Sequence, residues 1–204
     1  MRGFDLESTL IFLGVLIPSV ILHEVSHGLV AYWCGDDTAK RAGRLTLNPI
    51  SHIDPFGSIL LPVLLSLTSF GVFGYAKPVP VNIGKLRAPR NQAVIVSLAG
   101  PTTNILIALL AAWALRTFEP HGTVARVIID LGVTNVVLAA FNLIPLPPLD
   151  GSAVIERFMP RAWYPQWLRI RRYTMGVLII VVLAVPRVLN SIFTRAIDLW
   201  AHLL

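Results

Sequence analysis

The feature that most limits how this chain can fold is a series of long apolar stretches that carry almost no charge. They run from about Leu6 to Trp33, Phe56 to Ala76, Asn91 to Phe118, Thr123 to Ile144 and Tyr173 to Leu204. A helix of about 20 apolar residues crosses the hydrocarbon core of a bilayer, and charge-poor runs of this length are what such crossings require. Composition supports this: 55% of the residues are hydrophobic and 14% charged, against about 25% charged in an ordinary soluble domain. Secreted, collagen-like and disordered chains do not fit that profile. The expected fold class is an all-α polytopic membrane protein with about four to six membrane segments. Residues 1–204 are expected to form a single membrane-embedded domain, with a core over about 6–151 and C-terminal membrane segments over 173–204.

Several interruptions qualify that pattern. Pro62 and the glycines at 57, 71 and 74 break the second stretch. Lys77-Pro78-Val79-Pro80-Val81-Asn82 follows it, and two prolines there favour an extended or edge-strand element over a helix. The last stretch is split at Pro186-Arg187, and its second half carries Arg195, Asp198 and His202. That half is expected to lie in the membrane interface rather than to span. The first stretch reads as a retained membrane segment. Its leading residues, Met1 to Glu7, are not basic, and no small-residue cleavage site follows. Cys34 is the sole cysteine, which excludes an internal disulfide and any multi-cysteine metal site. It reads as a buried or interfacial thiol.

The net charge of +6 does not point to nucleic acid, because the basic residues lie between apolar stretches and no recognition motif is present. In a membrane protein that distribution reports orientation, since Lys and Arg collect on the cytoplasmic side. The lipid bilayer is the expected partner, and no nucleic acid.

His23-Glu24-Val25-Ser26-His27 is an H-E-x-x-H pattern. On a helix its histidines are four residues apart, share a face and can bind one Zn²⁺, with the glutamate adjacent. That glutamate has the place of a general base. Ionisable groups in a spanning helix cost roughly 2.5–3.5 kcal/mol each at its centre, which argues for function. A zinc hydrolase needs a third protein ligand at similar depth. Asp150, beyond the fourth stretch and beside Gly151, is the best candidate, with a solvated turn aspartate as the alternative. Asp130 lies near the start of that stretch, at the wrong depth.

The combination of His23 to His27 with Asn142-Leu143-Ile144-Pro145-Leu146-Pro147-Pro148-Leu149-Asp150-Gly151 resembles the site-2 protease family of intramembrane zinc metalloproteases. That family carries HExxH and NxxPxPxxDG motifs. Ala99-Gly100-Pro101-Thr102-Thr103-Asn104 is similar to its GxxxN signature, and the resemblance covers roughly Leu22 to Gly151. It implies a compact form without PDZ or CBS domain, with one Zn²⁺ per chain. It also implies that His23, His27 and Asp150 are the metal ligands, that Glu24 is the catalytic base, and that Asn142 contacts substrate or intermediate near the metal. The implied activity is hydrolysis of peptide bonds in transmembrane segments of protein substrates, as in regulated intramembrane proteolysis.

Topology gives an independent check. His23 and His27 lie toward the exit end of the first stretch and Asp150 beyond the exit end of the fourth, so both ends must emerge on one side. One net crossing must separate them. Of the two intervening stretches, Phe56–Ala76, with its proline and late glycines, is the better re-entrant hairpin. Non-helical backbone at that depth is tolerable where protein or a wet cavity surrounds it. Twelve of the 17 basic residues then fall on the side of the metal site, which predicts a site near the cytoplasmic face.

Other features carry less. His52-Ile53-Asp54-Pro55 reads as a turn, and His121 and His202 as loop and terminal residues. Gly100 and Asn104 read as close packing and a polar contact between helices. No G-x-S-x-G elbow is present for a serine hydrolase. A metal transporter would have no need of Glu24, and a dead scaffold would not keep the base and all three ligands. The Lys77–Asn82 segment is expected to bind an unwound substrate as an added strand.

Overall fold

The computed structural model describes residues 6–54, 77–171 and 173–204. Eight α-helices are formed among them: α1 (Leu6–Trp33), α2 (Thr38–Arg41), α3 (Pro89–Phe118), α4 (Gly122–Asn142), α5 (Ser152–Phe158), α6 (Tyr164–Arg171), α7 (Thr174–Ala184) and α8 (Pro186–Ala201). Helices α1, α3 and α4 are each long and apolar enough to cross a membrane; α7 and α8, bent by 84° at their junction, would supply a fourth crossing if taken as one broken span. Among the described residues this gives three crossings, or four with the broken span, against the four to six expected of the whole chain. The stretch expected to form the re-entrant hairpin falls on 55–76, outside the described residues.

Helices α3 and α4 form a tight antiparallel pair. The three residues between them turn the chain with Glu119 in the left-handed region (φ 42°), its N–H donating to Leu115 O, and Gly122 at φ 61°. Helix α1 packs against both. Proline inside α1 (Pro18) and α3 (Pro101) is tolerated, as is common where neighbouring helices re-satisfy the freed backbone.

The loop ends place α1 and α3 in register. Arg87 N–H donates to Cys34 O (3.1 Å) and Lys77 N–H to His52 O (2.9 Å). The chain therefore leaves α1 and enters α3 on the same side, as one net crossing between the two motifs requires. Ala31, Leu86 and Val96 form the apolar seal at this junction.

The segment 77–82 is non-helical, as its prolines demand, and no β-strand is formed among the described residues. It lies across the end of α1. Arg44 Nη2 donates to Lys77 O (2.7 Å), and Asn82 N–H donates to Asp36 Oδ2. Val79 is buried against Gly28, where an added Cβ would lie 2.8 Å from the Val79 side chain.

About one turn along α3 from Asn104, α8 docks on the α3–α4 pair through Trp200. Its indole N–H donates to Ala108 O (2.7 Å), and its ring lies over Gly132, where a Cβ would come within 2.1 Å. Ala108, Ala111 and Ala112 line the same contact. The remaining face of α8 carries Arg187, Asn190, Ser191, Thr194, Arg195 and Asp198, all exposed. The helix is also anchored along α4 by Phe193 on Phe141.

Candidate metal centre

His23 and His27 stand one turn apart on the inner face of α1, both buried. Asp150 arrives from a loop built by its own sequence. After α4 ends at Asn142, three prolines preclude helix, and short turns carry the chain back on itself: Leu149 N–H to Leu146 O (2.9 Å) and Gly151 N–H to Asn142 O (2.7 Å). The return requires glycine, because a Cβ on residue 151 would lie 2.3 Å from Leu143 O.

The three side chains converge. His23 Nε2 is 3.1 Å from His27 Nε2 and 3.1 Å from Asp150 Oδ2, and His27 Nε2 is 3.4 Å from that same oxygen. Among the described residues this is the one group of three or more His, Cys, Asp or Glu that could hold a metal ion.

The tautomers decide what such a cluster is for. His27 Nδ1 is 2.7 Å from Val96 O, a carbonyl that can only accept, so this nitrogen carries the proton. His23 Nδ1 is 2.5 Å from Asn104 Oδ1. The Asn104 amide is oriented by its other end, whose Nδ2 donates to Asn135 Oδ1 (2.7 Å). In the neutral rings both Nε2 atoms therefore present lone pairs. Asp150 Oδ2 is buried beside them and accepts no well-formed hydrogen bond, although it lies at ion-pair distance from both rings. Three acceptors aimed at one point repel unless a cation joins them. Their spacing suits zinc: bonds of about 2.0–2.1 Å in a tetrahedron put ligand atoms roughly 3.3–3.4 Å apart. The donor set, two imidazoles and a carboxylate, is also one that zinc takes in hydrolases.

Space at the centre is kept by Gly100 of α3. A Cβ there would stand 2.4 Å from His27 Nε2 and 2.5 Å from His23 Nε2. Sequence reading assigned Gly100 to helix packing; it packs against the imidazole rings of His23 and His27. Glu24, half-buried on α1, accepts a hydrogen bond on Oε2 from Val79 N–H (2.8 Å). Asn142 donates from Nδ2 to Leu138 O (3.0 Å), while its main-chain carbonyl closes the Asp150 loop. His52 is away from this cluster, its Nε2 bonded to Thr46 O (2.9 Å), as the turn reading expects. Asn135 and Ser19 were missed by sequence reading. A lone polar residue inside each apolar stretch was the signal available.

Comparison with known proteins yields a consistent set of similarities. The model for "Peptidase family M50" matches residues 11–124. The chain is 44% identical over 154 residues to "Putative zinc metalloprotease YwhC" of Bacillus subtilis, covering 71% of this chain and 67% of that protein. It is 36% identical over 186 residues to "Putative zinc metalloprotease Rip2" of Mycolicibacterium smegmatis, covering 87% of this chain and 67% of that one. "Putative zinc metalloprotease MJ0611" of Methanocaldococcus jannaschii is 29% identical over 161 residues, 76% of this chain and 75% of that protein. No solved structure matches the chain.

Proposed function

The chain belongs to peptidase family M50 and is a zinc metalloendopeptidase of the site-2 protease type, and from that premise we propose that it cleaves transmembrane segments of membrane-protein substrates, using His23, His27 and Asp150 to hold one zinc ion and Glu24 as the base. The observation that carries this reading is the meeting of three lone-pair donors at tetrahedral spacing beside a glutamate, between helices long and apolar enough to span a bilayer. The catalytic core is 6–151, and its metal end faces the cytoplasm, where the partition of basic residues puts it.

Zinc held there supplies Lewis acidity toward the scissile carbonyl and lowers the pKa of the attacking water toward about 7. Everything else falls to this chain's side chains. Glu24 takes a proton from the water as it adds to the carbonyl carbon, then delivers that proton to the departing amine as the C–N bond breaks. Val79 N–H holds Oε2 of Glu24 from one side, which leaves Oε1 for the proton. Asn142 lies on the chain that carries Asp150, and its side-chain oxygen is the group we assign to substrate or intermediate contact.

Substrate pairing along Lys77–Asn82 meets a constraint. The amides of Lys77, Val79 and Asn82 are already donated within the protein, and Pro78 and Pro80 have none. An added strand that paired through the N–H of Lys77, Val79 or Asn82 would have to exchange one of those bonds.

Two measurements test the reading. Metal analysis of detergent-purified protein is expected to give about one zinc per chain, lost in His23→Ala and in Asp150→Ala. Glu24→Gln should keep the zinc and lose cleavage of a reconstituted transmembrane substrate by about 10²–10⁴-fold. Wild-type protein free of zinc, or Glu24→Gln at full activity, would overturn it.

A further inference from the structure

One of the two metal-binding histidines is oriented by main chain and the other by a train of side chains. His27 leans on Val96 O. From His23 the bonds run Nδ1–H to Asn104 Oδ1 (2.5 Å), Asn104 Nδ2–H to Asn135 Oδ1 (2.7 Å), Asn135 Nδ2–H to Ser19 Oγ (2.8 Å), and Ser19 Oγ–H to Val15 O (2.8 Å). Asn135 Nδ2 also donates to Leu131 O (2.9 Å).

Direction is the informative property of this train. Every oxygen in it receives a proton and every nitrogen gives one, so reversing any amide would set acceptor against acceptor. The train starts on α1 at His23, crosses to α3 at Asn104, then to α4 at Asn135, and returns to α1 at Ser19, one turn before it began. Asn104 and Asn135 are 0% exposed and Ser19 1%, so the links lie out of reach of bulk water. Two fully buried carboxamides join the three helices by hydrogen bonds, and here the first of them ends on His23.

We propose that Asn104, Asn135 and Ser19 are positioning residues for the zinc site: a one-directional hydrogen-bond train that ends on Val15 O and holds His23 in its Nδ1–H tautomer with the Nε2 lone pair on the metal. The train also ties the rotation of α1 to α3 and α4, so that His23, His27 and the Asp150 loop meet at one point. It acts through His23 and touches no substrate. This inference rests on the zinc reading above.

The test is zinc affinity by chelator competition, together with the visible d–d spectrum of the Co²⁺-substituted protein, on full-length chain in detergent. Asn104→Leu is expected to weaken zinc by about 10–100-fold, the usual cost of losing a histidine's outer partner, and to shift the Co²⁺ bands. Asn135→Leu, one link further, should weaken it by about 3–10-fold, and Ser19→Ala by about twofold. Asn104→Asp keeps an acceptor for His23 but sets an oxygen against Asn135 Oδ1, so it should bind zinc more tightly than Asn104→Leu and no more tightly than Asn135→Leu. A merely structural role would lower thermal stability while leaving the affinity and bands of the folded protein unchanged, and that result overturns the proposal. Should Asn104→Leu fail to fold, wild-type affinity in Asn135→Leu overturns it equally. Wild-type protein that binds no zinc refutes the metal reading instead, so the two failures are distinguishable.

Discussion

The α3–α4 pair is packed in two different ways along its length. At the metal level, Asn104 and Asn135 meet through an amide hydrogen bond, with Gly100 one turn away under the histidines. One turn beyond Asn104, Trp200 lies on Gly132 among Ala108, Ala111 and Ala112. The second arrangement is what membrane helices ordinarily use, since lipid gives no hydrophobic drive and close packing of small residues must hold helices together. The first uses buried amides instead. The difference separates a level held by close packing from one joined by directional hydrogen bonds.

The two glycines break or sustain that contrast most sharply. Gly100→Ala places a methyl on the ring nitrogens, and zinc affinity is expected to fall by at least about 100-fold while the helices still associate. Gly132→Ala places one on the Trp200 ring, and should cost about 1–3 kcal/mol of stability with zinc affinity unchanged. Thermal unfolding and chelator competition on the same two proteins check both. Equal effects of the two variants on zinc would show that the levels are not separate.

A smaller effect sharpens the apolar level. Trp200→Phe keeps a ring over Gly132 but removes the bond to Ala108 O, and is expected to lower stability by about 1 kcal/mol, read by urea unfolding in mixed micelles. A loss several times larger would mean that the indole hydrogen bond, and not ring packing, anchors α8.

The smallest effect is a pH response confined to the metal end. Asp36, outside the spans, is buried. Burial pushes its carboxyl up, but hydrogen bonds from the Thr38 hydroxyl, Asn82 N–H and Thr38 N–H outweigh that and hold it below the usual carboxylate range. A carboxyl depressed in the folded state stabilises fully above its unfolded pKa, about 3.9, and that contribution is lost as pH falls through the lower folded value. Below about pH 4, amide exchange in 77–86 should therefore quicken. Trp200 fluorescence should stay constant over that range, because none of the groups packed around the indole titrates. Asp36→Asn should abolish the pH dependence of that exchange.

The sequence carried the membrane class, the HExxH helix and the choice of Asp150 as the carboxylate that meets it. Those signals are local: a hydropathy run, a four-residue spacing, a proline-rich turn ending in Asp150-Gly151. The net-crossing argument also proved sound at its ends, where Arg87 meets Cys34 and Lys77 meets His52. The packing contact expected of Gly100 and the interhelical bond expected of Asn104 are both present, yet their partners were not legible. Neither was the hold of Val79 on Glu24. Sequence by itself determined which segments are apolar enough to cross a bilayer and which side chains can bind a metal, because burial cost and ligand chemistry belong to residue types. Tertiary structure alone decided that His23 finds Asn104, 81 positions away, and that Asn135 finds Ser19, 116 away. Those pairings depend on how each helix is rotated and set in depth against its neighbours, and small residues such as Gly100 and Gly132 fix that rotation only once the helices have met.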